Sequence, residues 1–401
     1  MKKRVRRFLV LGTLLIVLLS FMSAYAKEKA PLPGAKTLKI GAIFALTGPA
    51  APGIKDNMQG VQVAAEWINK KGGITIGGQR YLLEIIPEDN KSSPEGTIAA
   101  ANKLVFKDGV KFIVGPVVPW LSIAMTPITE KAKVLRCKVN GTGTPAEMNP
   151  DLHYTFSTFI EVQYISSTYG YFTESYPQVK KIAITGPDEP GGQIFLKLSK
   201  KEAERRGLEV VFAEPYPFGT EDFYPILTKA LAQKPDAFEL GVGVAPWYAG
   251  IIKQARELRF NGPMFAPSAT GDIYFVQKLV GKDSAHDIFF LDPDLKSPDT
   301  PPMIKEIRRR VLDKYGAEIT SGHGFGWEAL RCMIQAIKAA QSLDPNVVAG
   351  TWEKMKSIET LYGKGEMGGM KDFGINHVVV KPRPITRLEN GEVKFVKFIS
   401  P

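Results

Sequence analysis

From Leu38 onward the sequence alternates short apolar runs with longer amphipathic ones, a pattern that restricts the chain to βα units laid on a parallel sheet. Residues 38–46 read as a strand. Met58, Val61, Ala65 and Ile68 then recur at helical spacing, and Gly72-Gly73 stops the helix. A strand over 81–86 follows. Ser93 reads as an N-cap with Pro94 at the first helical position, and this helix is expected to run to about Asp108. A strand at 110–114, a helix near 119–132 and a strand at 134–139 complete the set. After a bridging strand near 154–158 and a helix from about Glu161, the alternation restarts at 181–185 and continues to a third apolar strand at 287–291. Helices near 303–315, 326–342 and 346–357 follow. The tail reads as strands at 378–380, 385–388 and 393–398, and Asn390-Gly391 is a type I′ hairpin signal. Two such sets predict two doubly wound lobes whose chain crosses between them more than once. Ligand-binding loops are then expected at the carboxyl edges of the strands.

The first 26 residues read as a removable leader. Five cations stand in the first seven positions, followed by the 15-residue run 8–22 and the small-x-small signal Ala24-Tyr25-Ala26. The run is shorter than the roughly 20 apolar residues of a membrane span. No cysteine follows it for lipid attachment, so the mature protein is expected free in an exported compartment, the periplasm, without membrane insertion. Without the leader the balance of +11 falls to +6, with 47 basic against 41 acidic residues. The densest basic cluster, Arg308, Arg309 and Arg310, lies in a helical pattern and reads as a solvated face, so a nucleic-acid partner is not expected. Export permits disulfides. Cys137 and Cys332 are the two cysteines, and a bridge and two buried thiols both remain open.

Enzyme signatures are missing. The four histidines stand alone, no Walker loop or Gly-x-Ser-x-Gly elbow occurs, and Gly241-Val242-Gly243 lacks the third glycine of a dinucleotide fingerprint. Neither catalysis, a metal nor a cofactor is expected. What the loops offer is small residues and helix starts. Gly48-Pro49-Ala50-Ala51, Gly115-Pro116-Val117-Val118-Pro119-Trp120, Gly141-Thr142-Gly143-Thr144-Pro145 and the loop 187–192 all follow strands. Exposed N–H groups there, with helix dipoles behind them, would suit an anionic group without any cationic side chain.

The run Ile40-Gly41-Ala42-Ile43-Phe44-Ala45-Leu46-Thr47-Gly48-Pro49, then residues 60–74, Glu88-Asp89-Asn90 and Phe112-Ile113-Val114-Gly115-Pro116, resembles the branched-chain-amino-acid-type substrate-binding proteins of ABC transporters. Lys181-Ile182-Ala183-Ile184, Asp222-Phe223 and Gln254-Ala255-Arg256 fit the second lobe of that family. The resemblance spans nearly the whole mature chain. It implies the α/β type I periplasmic-binding-protein fold, with two doubly wound Rossmann-like lobes on a three-crossover hinge. It also implies a monomer that closes on a small-molecule ligand and delivers it to ABC permease subunits, meeting the ATPase subunits only indirectly. The expected division is a leader at 1–26, a linker at 27–36, one lobe from 37–158 with 286–370, and the other from 159–285 with 371–401. A module feeding a membrane sensor, or an enzyme using the same cleft, are the other readings.

Carrying the family's ligand contacts over residue by residue gives the expected site. The hydroxyl that binds a ligand carboxylate matches a place near Pro119, flanked by Val118 and Trp120, and the next hydroxyl is Ser122. Gly141, Thr142 and Gly143 match a loop that supplies backbone and threonine contacts, and Thr144 is a further hydroxyl there. The acid that holds a ligand ammonium falls at or next to the neutral Ser268, and two aromatic positions fall near Gly53 and Gly191. A buried ammonium without a carboxylate costs several kcal/mol. The expected ligand is therefore an aromatic or other carboxylic compound rather than a standard amino acid. Trp120, Trp247, Tyr248 and Phe325 are the expected new walls. Arg136 and Lys138 alternate with apolar residues in a strand, so Lys138 either snorkels to an exposed edge or points into the cleft as an anion partner.

Overall fold

The computed structural model describes residues 34–269 and 271–401; the leader and all but the end of the expected linker lie outside them. Strand β1 (Lys36–Phe44) begins a sheet with β2 (Ile74–Ile76), β3 (Gln79–Asp89), β4 (Phe112–Val114), β5 (Leu135–Lys138) and β6 (Thr155–Ser157). A second sheet holds β7 (Lys181–Pro187), β8 (Glu209–Tyr216), β9 (Ala237–Glu239), β10 (Met264–Phe265) and β11 (Ile288–Phe290). The chain then adds β12 (Ile358–Thr360), β13 (Gly363–Gly368) and β14 (Val378–Val380) to the first sheet. It ends with β15 (Arg383–Glu389) and β16 (Glu392–Ile399) on the second. The orders are β12-β13-β14-β6-β5-β4-β1-β3-β2 and β16-β15-β11-β10-β9-β7-β8, with parallel pairing through both centres. These are two doubly wound α/β lobes joined by three crossovers.

Local chemistry explains the elements. Ile40, Ala42, Ile43 and Phe44 are all buried, as expected of an interior strand covered on both faces. The helix Ala51–Lys70 buries Ile54, Met58, Val61, Ala65 and Ile68 on one face. Its end at Gly72-Gly73 needs glycine, because a Cβ at Gly73, where φ is +79°, would lie 2.1 Å from the Tyr81 carbonyl oxygen. Ser93 caps Pro94–Asn102 by accepting from the Gly96 N–H at 3.0 Å, and the last turn before Asp108 widens to π-helical spacing. Asn390 and Gly391 both have positive φ in a two-residue turn between paired Glu389 and Glu392. The helix Ser321–Ala340 crosses Ala51–Lys70 so closely that a Cβ on Gly60 would lie 2.2 Å from the His323 carbonyl oxygen. One on Gly326 would lie 1.9 Å from that of Asn57.

Two strands lie on the other sheet from the one the sequence division assigns. Ile288–Phe290 pairs in parallel with β10 and antiparallel with β15 in the second sheet. Val378–Val380 pairs with β6 and β13 in the first. Each has the apolar pattern of any central strand, and sheet membership is decided by partners far away in sequence. The hairpin β12–β13 carries no strand signal in the sequence, because its second strand, Gly-Lys-Gly-Glu-Met-Gly, has little strand-forming character. The crossovers thus lie after β6, after β11 and between Val380 and Arg383. Cys137 and Cys332 are both free and fully buried. Burial pushes the Cys137 thiol far up and that of Cys332 up to about 12.

Candidate functional site

The loops at the carboxyl edges of the two sheets face each other and touch. Thr142, after β5, approaches the start of the helix Pro190–Arg205 so closely that its Oγ1 is 2.8 Å from where a Gly191 Cβ would stand. Trp120, at the start of the helix Pro119–Ala132 and 45% exposed, meets the edge of Phe218, with ring centres 5.8 Å apart. Phe218 in turn meets Trp247 at 5.2 Å, and Trp247 meets Tyr216 at 6.2 Å. Trp120 belongs to the first lobe and the other three to the second, so an aromatic chain bridges the mouth between lobes.

Anionic side chains of the protein occupy two of the four loops expected to offer free amides. Glu147 Oε2 accepts from the Gly143 and Thr144 N–H groups at 3.0 Å each and from Thr144 Oγ1 at 3.2 Å. Its Oε1 accepts from Lys138 Nζ at 2.8 Å, with both side chains fully buried. Burial opposes the charge on Glu147, but Lys138 and the loop amides outweigh it and hold the carboxyl below its ordinary range. Lys138 therefore neither snorkels nor points at a ligand; it anchors Glu147, which shapes the Gly141–Thr144 loop. In the second lobe Glu189 caps its own helix, accepting from Gly191 and Gly192 N–H at 2.9 and 2.6 Å. A Cβ at Gly191 would meet Glu189 and Thr142 at 2.8 Å, whereas one at Gly53 would meet nothing within 4 Å.

Ser122 is committed elsewhere too. It is buried, and its hydroxyl and carbonyl oxygens accept from Arg136 Nη1 at 3.0 and 2.8 Å. Arg136 also donates to Thr155 Oγ1 and Thr126 Oγ1, and burial pulls its guanidinium down to about 10. Both charges of the anomalous strand β5 are thus internal fasteners. Val118 stands extended at the N-cap before Pro119, and that helix start receives no side-chain cap.

Ser268 is fully buried and donates to Glu161 Oε1 at 2.7 Å. Glu161, which enters on the first crossover, thus brings a carboxyl to the neutral Ser268. Its own N–H donates to the Gly141 carbonyl at 2.9 Å, so the carboxyl stands beside the Gly141–Thr144 loop. Burial pushes it up to about 8, against the opposing pulls of the Ser268 hydroxyl and, more weakly, Arg383. Tyr248, read as a wall, is fully buried against Phe290 with ring centres 5.1 Å apart and donates to the Gly241 carbonyl at 3.2 Å. It is core, with its polar tip near Ser268 and Glu161. Glu161 drew no attention in the sequence because the family pattern places the acid after β10; its signal was a charge opening a helix straight after a buried strand.

Phe325, the fifth residue of Ser321–Ala340, is buried and lies 5.3 Å from the Arg383 guanidinium. Phe159 and Tyr362 lie against the same guanidinium at 4.3 and 5.5 Å. Arg383 is fully buried at the end of the third crossover, and its Nη2 donates to the Leu291 carbonyl on the second at 2.8 Å. Its Nε and Nη1 have no hydrogen-bond partner. Among the described residues, no group of three or more His, Cys, Asp or Glu side chains is placed to hold a metal, and no helix is long and apolar enough to cross a membrane. An apolar crevice flanks the hinge, lined by Pro293, Ile304, Tyr362, Phe395 and Phe398 among others, and none of the expected site residues lines it.

A family model described as periplasmic binding protein matches residues 37–392. The chain belongs to that family. A Leu/Ile/Val-binding protein of Rhizobium johnstonii is 27% identical over 352 residues, covering 86% of this chain and 90% of the relative. Among solved structures, a branched-chain amino acid transporter substrate-binding protein of Streptococcus pneumoniae in complex with isoleucine superposes with a TM-score of 0.75. It is 22% identical, covering 91% of this chain and all of that one. A solute-binding protein of R. palustris in complex with 4-hydroxybenzoate superposes at 0.74 with 20% identity, covering 91% and 96%. The periplasmic binding protein described here therefore has the type I fold that these structures share, and its family comprises substrate-binding proteins of ABC transporters.

Proposed function

We propose that this periplasmic binding protein is exported behind its leader, closes on a small organic acid and releases it unaltered to an ABC permease. The observation that carries the reading is the meeting of loops from both lobes around a buried polar group, Glu161 on Ser268, because a ligand there touches both lobes at once. Only a ligand with unequal affinity for the open and closed states shifts the population between them. Burial pushes the Glu161 carboxyl up to about 8, which favours an acid without an ammonium group. The relatives' ligands bracket the choice: isoleucine in one neighbour, 4-hydroxybenzoate in another.

Glu161 also favours a second reading, a branched-chain amino acid whose ammonium draws the proton off that carboxyl. A thermal-shift panel of benzoate, 4-hydroxybenzoate, 4-methylpentanoate, leucine and isoleucine tests both. Ligand at about 100 times its Kd stabilises by about 2.7 kcal/mol, a rise of several degrees. A melting temperature and a scattering curve unmoved by every compound would dispose of the receptor reading.

A further inference from the structure

We propose that Arg383 is the anion-recognising group of the interlobe site, its guanidinium taking the carboxylate of the ligand where the three crossovers converge. The assignment rests on the reading of this cleft as the ligand site and names the group that selects for acids there.

Arginine stays charged under all ordinary conditions and carries five N–H donors. Here one nitrogen, Nη2, donates to the Leu291 carbonyl, while Nε and Nη1, bearing three of the five N–H groups, have no acceptor although the side chain is fully buried. A buried cation left in that condition is costly, and native structures pair such groups. Rings surround it: Phe159 from the first crossover, Phe325 and Tyr362 from the first lobe. Ring faces hold a guanidinium in place without satisfying its N–H groups.

The acceptor that fits a planar fork of N–H groups is a carboxylate, with two oxygens set for two parallel hydrogen bonds. Of the protein's own carboxyls in this region, Glu161 accepts from Ser268 and Glu328 is paired with Lys381. An incoming acid would find the cation, flat apolar faces for its body and the Glu161 carboxyl near enough to feel the same charge. Because the guanidinium touches residues of the first and second crossovers while riding on the third, it also couples the ligand to every strand the chain passes between lobes.

The test is calorimetric binding of matched carboxylates and amides, benzoate with benzamide and 4-methylpentanoate with 4-methylpentanamide, with leucine alongside. Wild-type protein is expected to prefer a carboxylate to its amide by about 100-fold, the scale of one charge-assisted pair. Arg383→Met is expected to erase that preference, and circular dichroism reports whether it folds. Arg383→Lys keeps the charge without the fork and is expected to lose about 10-fold for the carboxylate while binding the amide as before. It decides the matter even if the methionine variant does not fold. Equal carboxylate affinity in wild type and variants, or a wild type that favours the amides, overturns the assignment and leaves the receptor reading standing. A wild type that binds no compound of the panel overturns the receptor reading, and this assignment with it.

Discussion

Ser268 and Glu161, 107 positions apart, share a hydrogen bond of 2.7 Å, so the neutral residue that stands where an acid was expected is itself bonded to one. Glu161 reaches it from the first crossover. Its altered proton affinity follows from burial, and that sets the sign of the first prediction. Below about pH 8 Glu161 is neutral, and an anionic ligand beside it meets no repulsion. Benzoate affinity is therefore expected to fall as pH rises from 7 to 9, and Glu161→Gln to remove the slope. Calorimetry in buffers of different ionisation heat measures the linked proton directly; leucine binding that strengthens over the same range would instead support the amino-acid reading.

Stability without ligand is expected to decline toward alkaline pH. Glu239 is fully buried, hydrogen-bonded to Tyr169 and to Ser199, the latter at 2.7 Å, and burial pushes it up to about 7. For Glu239 and Glu161 the folded value lies above the ordinary 4.5. The native state thus binds more protons than the unfolded chain, and stability falls as pH rises from about 4.5 through about 7 and 8. Urea midpoints across that interval check the slope, and Glu239→Gln should flatten its lower part.

Breaking the Lys138–Glu147 pair should cost about 3–5 kcal/mol, because either single substitution leaves one charge buried alone. Lys138→Met and Glu147→Gln are each expected to lower the urea midpoint strongly, and the double variant to recover part of the loss. Glu147→Gln should also weaken ligand binding, since its carboxylate holds the Gly143 and Thr144 amides in their loop.

The glycine contacts between the Ala51–Lys70 and Ser321–Ala340 helices tolerate no side chain. Gly326→Ala places a carbon 1.9 Å from a backbone oxygen, so the helices must separate. A loss of about 1–3 kcal/mol is expected, the usual range for overpacking. Gly53→Ala, facing open space on the Ala51–Lys70 helix, is the control and should change stability little.

The aromatic bridge between Trp120 and Phe218 should favour closure. A double-mutant cycle with Trp120→Ala and Phe218→Ala, read as ligand affinity, is expected to return a coupling of about 0.5–1.5 kcal/mol. A coupling of zero would assign both rings to surface decoration.

Much of the architecture was readable because its signals are local. The apolar run through Ile40, Ile43 and Phe44, the Ser93-Pro94 helix start and the Asn390-Gly391 turn each carry their reason within a few residues. Sheet membership of Ile288–Phe290 and Val378–Val380 was not readable, since both present the same apolar pattern and only distant partners tell them apart. The site was less legible than the fold. The Gly141–Thr144 amides looked available until Glu147 appeared beneath them, and Ser122 looked free until Arg136 reached it. Arg383 carried no signal at all: an arginine between two prolines reads as a surface turn, and its burial depends on rings from three separate parts of the chain.

The third crossover consists of two residues, Lys381 and Pro382. The first is pinned on both sides, its carbonyl by the Tyr164 hydroxyl at 2.8 Å and its ammonium by the buried Glu328; the second has its φ fixed by its ring. A strap so short and so tied transmits torque but admits almost no stretch. Any movement of the two halves would accordingly be a swing about a fixed pivot rather than a slide, with its slack left to the longer span over 291–301.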